Sequence, residues 1–174
     1  MNKPSRRAVV RTGVWAVPAV TVAAAAPAFA TVSGGGCVGE VCLSGQGAGS
    51  CKLPGESTHN GTTYFGYRMV LHFTNDSGSD QVVNIDSIDF GKDTDTIITF
   101  GGPYTISSTS TTANGGQNVV VILQSTNSAN TTAVVCFSVE GSGSACTTVT
   151  FASFKPCKCK QNDADPTDPN ADCS

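Results

Sequence analysis

Eight cysteines and two histidines are the side chains of this 174-residue chain best equipped for chemistry beyond packing. Cys37, Cys42, Cys51, Cys136, Cys146, Cys157, Cys159 and Cys173 form an even set. Such a set can oxidise pairwise into four disulfides or, as thiolates, bind a soft metal. The Cys157-Lys158-Cys159 spacing and the four residues between Cys37 and Cys42 suit metal ligands. The histidine nearest to either cluster, His59, has no matching second histidine, and exported thiolates tend to oxidise, so four disulfides and no cofactor are expected. His59 lies in the polar run Ser57-Thr58-His59-Asn60-Gly61, and His72 falls on the outward face of an apolar strand. Either could act as a general base, but no G-x-S-x-G elbow accompanies them. Gly45-Gln46-Gly47-Ala48-Gly49 has the glycines of a phosphate loop without the flanking strand and helix. No catalytic residue is assigned and a non-enzyme is expected.

The C-terminal Asp163, Asp165, Asp168 and Asp172, with Asn162 and Asn170, resemble the spaced carboxylates of calcium loops. Counted from Asp163, however, Thr167 stands where a ligand belongs, Asp168 where a glycine turns, and Ser174 where a bidentate glutamate closes the loop. Pro166 and Pro169 further fix φ. Calcium binding no tighter than about 10⁻³ M is expected, in a solvated tail pinned by Cys173.

The element that must position everything else is Tyr64 to Asn75. Phe65, Tyr67, Met69, Leu71 and Phe73 alternate there with Gly66, Arg68, His72 and Thr74, so an extended strand turns one apolar face to a core and the other to water. Later apolar segments are short and β-branched: Gln81 to Phe90, Ile97 to Phe100, Tyr104 to Ile106, Asn118 to Gln124, Ala133 to Glu140 and Cys146 to Phe154. Their partner layer is another sheet. Val83 and Ile85 are odd while Ile88 and Phe90 are even, which places a bulge or a change of sheet near Asp86-Ser87. Residues 31–60 are expected to be loop around one edge strand at Val41-Cys42-Leu43. The fold class is all-β: an Ig-like antiparallel β-sandwich of about seven strands, stabilised by disulfides. The order of strand, Asn-Asp-Ser-Gly turn, strand, Gly-Pro and later apolar strand resembles bacterial Ig-like surface modules.

A turn centred on Gly141 sets Cys136 opposite Cys146, both outward, with Phe137, Val139, Val149 and Phe151 inward. Cys37, Cys42 and Cys51 are then expected to pair with Cys157, Cys159 and Cys173 in an order left open. The core is expected to fold before any disulfide forms, so that reduction loosens the ends and not the sandwich. Asn60, Asn75 and Asn130 open N-glycosylation sequons, a pattern that chance supplies in so Asn-, Ser- and Thr-rich a chain.

Residues 1–30 have a basic start, an apolar middle from Val14 to Ala26, and Ala28-Phe29-Ala30 as a cleavage site. Ser5-Arg6-Arg7-Ala8-Val9-Val10-Arg11 resembles the twin-arginine export motif, and the whole run resembles the leaders of actinobacterial secreted proteins. The organisation is a signal peptide (1–30), a Cys/Gly-rich N-terminal segment (31–60), the sandwich (61–156) and a Cys/Asp/Pro-rich tail (157–174). Cleavage removes four of ten basic residues and none of thirteen acidic ones, leaving a net charge of about −7. That balance disfavours nucleic acid and anionic membrane surfaces, and no stable membrane insertion is expected after cleavage. The expected protein is secreted, extracellular or cell-wall associated. It is a non-catalytic binding or cell-surface structural module with a protein or cell-envelope partner. The alternatives are a secreted inhibitor or small-ligand binder and, behind them, a hydrolase.

Overall fold

The structure is a computed structural model that describes residues 36–91, 95–128, 131–151, 153–160 and 162–173. Arg6, Arg7, Ala28 and Ala30, which carry the export reading, lie outside the described residues, as does Asn130. Ten strands are described: β1 (Gly36–Val38), β2 (Val41–Gln46), β3 (Cys51–His59), β4 (Thr62–Asn75), β5 (Gln81–Asp89), β6 (Thr96–Phe100), β7 (Tyr104–Ile106), β8 (Gln117–Ser125), β9 (Thr132–Val139) and β10 (Gly143–Thr150).

They form two antiparallel sheets. One runs β1-β2-β4-β8-β6, with β3 also on β4, and the other runs β10-β9-β5-β7. The neighbours β2-β4-β8-β6 and β10-β9-β5 repeat the A-B-E-D and G-F-C order of an immunoglobulin-like sandwich, and β7 extends the second sheet beyond β5. The strand β4 is long enough to carry two partners along one edge: β3 beside Thr62–Arg68 and β2 beside Leu71–Asn75.

Alternation along β4 sends Tyr67, Met69, Leu71 and Phe73 into the space between the sheets, all fully buried. They meet Val83, Ile85 and Ile88 of β5, Val119, Val121 and Leu123 of β8, and Val135, Phe137 and Val139 of β9. The rings of Phe73 and Phe137 contact edge to face at 5.1 Å, an arrangement that favours ring quadrupoles beyond simple area burial. The inward phase of β5 changes where expected: its register on β9 shifts between Ile85 and Ser87, and this bulge keeps both Ile85 and Ile88 in the core.

Two expectations are corrected. Residues 36–59 are not loop around one edge strand; they supply three strands, which raises the count from about seven to ten. The missing strand β3 joins β4 through Asn60-Gly61, both at positive φ (51° and 79°), the backbone a two-residue hairpin needs. Its Pro54-Gly55 sits where the register slips between Lys52 and Glu56, so residues that punctuate a sequence here occupy a bulge instead of ending a strand. His59 is accordingly the exposed last residue of β3 rather than a loop histidine.

Candidate functional site

All eight cysteines are oxidised: Cys37–Cys42, Cys51–Cys157, Cys136–Cys146 and Cys159–Cys173. Cys136 and Cys146 stand directly opposite across the β9–β10 hairpin, with Phe137 opposite Ala145 and Val135 opposite Thr147. The other expected pairing is overturned in part, since only Cys51 among the three N-terminal cysteines reaches the tail. Cys37 faces Cys42 in the β1–β2 hairpin with 4.0 Å between their Cα atoms, the same separation as Cys136 and Cys146. Two cysteines already opposed in register need no distant partner. Cys159 closes on Cys173 within the tail.

The outer face of β4 does not meet water at its centre. Arg68 has 0 % exposure and Val70 beside it is also buried. Three backbone carbonyls accept from the Arg68 guanidinium: Pro166 from Nε at 2.8 Å, Asp168 from Nη2 at 2.6 Å, and Gly49 from Nη1. Five planar N–H donors in a fixed fork suit this three-way grip. Burial lowers the Arg68 pKa from its ordinary value, and the negative charge of Asp168 works in the opposite direction. The glycine run Gly45-Gln46-Gly47-Ala48-Gly49 therefore has a use other than cradling phosphate. Gly45 and Gln46 end β2, Gly47-Ala48-Gly49 leads on toward β3, and Gly49 sits at φ +91°, where a Cβ would lie 2.8 Å from Nη1 of Arg68.

The tail that Arg68 holds is folded by its own aspartates. The backbone N–H and the hydroxyl of Thr167 both donate to Asp165 Oδ1 at 2.8 Å, and the N–H of Asn170 donates to Asp168 Oδ1 at 2.8 Å. Asp168 N–H and Ala171 N–H reach back to the carbonyls of Asp165 and Asp168. Asp165-Pro166-Thr167 and Asp168-Pro169-Asn170 are thus two successive turns, with aspartate accepting and proline setting φ at the second place. Carboxylates used in this way do not converge: among the described residues the only trio of candidate metal-binding side chains is Cys51, Cys157 and Cys159.

The hydrogen bonds from Thr167 hold the Asp165 carboxyl below its ordinary pKa. A depressed carboxylate pKa means that the turn's stabilisation is complete above the unfolded aspartate value, about 3.9, and is lost as pH falls through the folded value. The Thr167 amide resonance is expected to move in that acid window and to stop titrating in Asp165→Asn, whose amide oxygen still accepts. An unchanged titration in the variant would assign the effect to another group.

Two clefts flank the tail. One, of about 490 Å³, is lined by apolar Leu53, Pro54, Ala164 and Pro166, by Cys157 and Cys159, and by charged Lys160, Asp163 and Asp165. The other, of about 470 Å³, holds His72 beside Gly116, Asn118 and Asn170. His72 is half-buried, and its Nδ1 lies 2.9 Å from Asn118 Oδ1, a neutral partner rather than the carboxylate that would orient a general base.

No protein-family model, curated protein or solved structure matches this chain.

Of the residues singled out from sequence, the structure gathers Cys51, Cys157, Cys159, Cys173, Asp163 and Asp165 at one end of β3 and keeps Cys37, Cys42, Cys136 and Cys146 in two separate hairpins. The sequon residue Asn75 is fully buried: its amide donates to Ser79 and Ile106 carbonyls, and its oxygen accepts from Ser77. Glycan attachment there is incompatible with the fold. Arg68, the residue that organises the site, is by sequence one of the outward positions in the alternation. The available signal was a lone cation placed between apolar neighbours at Tyr67 and Met69, opposite a tail of turn-forming aspartates.

Proposed function

We propose that the protein is exported through its twin-arginine-type leader, is cleaved after Ala30, and works outside the cytosol as a non-catalytic binding or cell-surface module. The observation that carries this reading is the cap: a tail lacking large apolar side chains is fixed to the sandwich by Cys51–Cys157, to itself by Cys159–Cys173, and to Arg68 through two carbonyls. Four disulfides fit an oxidising compartment. Among the described residues, no helix is long and apolar enough to cross a membrane. A fixed cap gives its partner a preformed surface, which limits the ordering cost of binding.

The cleft favours a second reading, a small-ligand binder or inhibitor, because about 490 Å³ with an apolar wall and a few charged groups falls within the usual range of ligand sites. Fractionation of a producing culture separates the readings. The surface role predicts a shortened chain that sediments with cell wall and is released by Leu53→Asp, with at least about tenfold weaker retention. Recovery in clear medium with one tight small ligand or protein supports the binder. A full-length chain retained in the cytosol, with Arg6→Lys/Arg7→Lys making no difference, overturns the export reading.

A further inference from the structure

We propose that in the reduced chain Cys51, Cys157, Cys159 and Cys173 form a thiolate site for one zinc-like divalent cation, which holds the cap until the disulfides form. The Sγ atoms of Cys51, Cys157 and Cys159 lie within 4.8 Å of one another although they belong to two different disulfides. Cys173 Sγ is bonded to that of Cys159. Tetrahedral zinc with Zn–S bonds of about 2.3 Å places its sulfurs about 3.8 Å apart, so after reduction the sulfurs of Cys51 and Cys157, and those of Cys159 and Cys173, must part from bonding distance, while Cys159 closes on the first pair by about 1 Å at most. The hairpin pairs Cys37–Cys42 and Cys136–Cys146 bring together only two sulfurs each.

Backbone contacts that involve no sulfur also bring these residues together. The N–H of Cys157 donates to the Lys52 carbonyl at 2.8 Å, that of Lys158 to Cys173 at 3.0 Å, and that of Ala164 to Cys159 at 2.8 Å. Arg68 fixes the middle of the tail. What the cap lacks is apolar mass: its small core is Cys51, Cys159 and Cys173, with Cys157, Ala164 and Ala171 against them. A core built of sulfur needs either disulfides or a metal. The cleft lined by Cys157 and Cys159 gives access, and Asp163 and Asp165 outweigh the single positive charge of Lys160 there, which leaves a negative balance that attracts a cation.

Binding releases four thiol protons to solvent. Oxidation then needs two molecules of a disulfide-class oxidant. Their four sulfurs leave as four thiols after taking up four protons, while the protein gains Cys51–Cys157 and Cys159–Cys173 and the cation departs as M²⁺.

The test is titration of cobalt(II), then zinc, into the full chain kept reduced and free of oxygen with a phosphine. One equivalent of cobalt is expected to give intense thiolate-to-metal absorption with tetrahedral d–d bands, bleached by zinc, and to slow amide exchange at Ala164 and Ala171. Cys157→Ser and Cys159→Ser are expected to weaken binding about tenfold or more. Cys37→Ser/Cys42→Ser is expected to leave the spectrum unchanged. Absence of charge-transfer absorption at equimolar cobalt overturns the proposal, whether the reduced chain is folded or not. So does a spectrum that survives Cys159→Ser but is lost in Cys37→Ser/Cys42→Ser.

Discussion

Replacing Arg68 by methionine is expected to lower stability to urea by about 3–5 kcal/mol. Methionine retains most of the buried stem, so the loss is not chiefly a cavity. It comes from the Gly49 and Pro166 carbonyls, which lose the Arg68 donor, and from the Asp168 carbonyl, which keeps the Ala171 N–H but loses the guanidinium. An acceptor left unpaired costs about 1–3 kcal/mol when buried and less where water reaches it; these bonds are partly buried, and one side chain holds all three, so they fail together. Arg68→Lys keeps the charge but not the planar fork, and an intermediate loss is expected. Amide exchange should locate the damage at Thr167 and Asp168, in the turn that Arg68 anchors, before it reaches β8 or β9. A change within about 0.5 kcal/mol, the usual range for a surface substitution, would mean that Arg68 meets water as its place in the alternation implies.

That discrepancy marks where the sequence stops being legible. Period-two alternation along Tyr67, Met69, Leu71 and Phe73 is visible because one buried face imposes it, and the same constraint reveals the bulge between Ile85 and Ser87 and the pairing of Cys136 with Cys146. Each is a local consequence of strand geometry around a single core. Nothing in that periodicity distinguishes an outward face exposed to solvent from one later covered by a tail about 100 residues away. By alternation alone Arg68 is simply an outward residue. The tail itself was hidden because it folds through aspartates accepting from N–H groups two residues on, and such side-chain turns leave no apolar pattern. The strand β3 is hidden for a different reason. Asn60-Gly61 is a strong hairpin signal, but Pro54-Gly55 earlier in the strand resembles a stop, and only the pairing on β4 shows that the chain continues through it. The Cys37–Cys42 bond was accessible by the argument used for Cys136 and Cys146, with the turn at Gly39-Glu40 in place of the one at Gly141.

Removal of the Cys51–Cys157 bond, as Cys51→Ser with Cys157→Ser and the other bonds intact, is expected to be the costliest of the four disulfide deletions, at about 4–5 kcal/mol. This bond joins residues 106 apart and encloses β3 through β10, whereas Cys159–Cys173 spans 14, Cys136–Cys146 spans 10 and Cys37–Cys42 spans 5. Chain-entropy scaling gives about 4.7 kcal/mol for a loop near 100 residues and about 2 kcal/mol for the shortest, because the longest loop restricts the unfolded chain most. The damage should also have a place. The large core of Tyr67, Phe73, Val135 and Phe137 contains none of these sulfurs, while the cap's core consists chiefly of them. Amides around Tyr67 and Phe137 should therefore stay protected at room temperature with the β-sheet circular dichroism unchanged, while those of Ala164 and Ala171 open. Urea titration of the four double variants gives the ranking, and hydrogen exchange gives the location. If Cys37→Ser/Cys42→Ser costs as much as Cys51→Ser/Cys157→Ser, loop length does not set the order. If protection at Phe137 disappears together with that at Ala164, the cap and the sandwich unfold as one unit, and the sandwich requires its tail to stand.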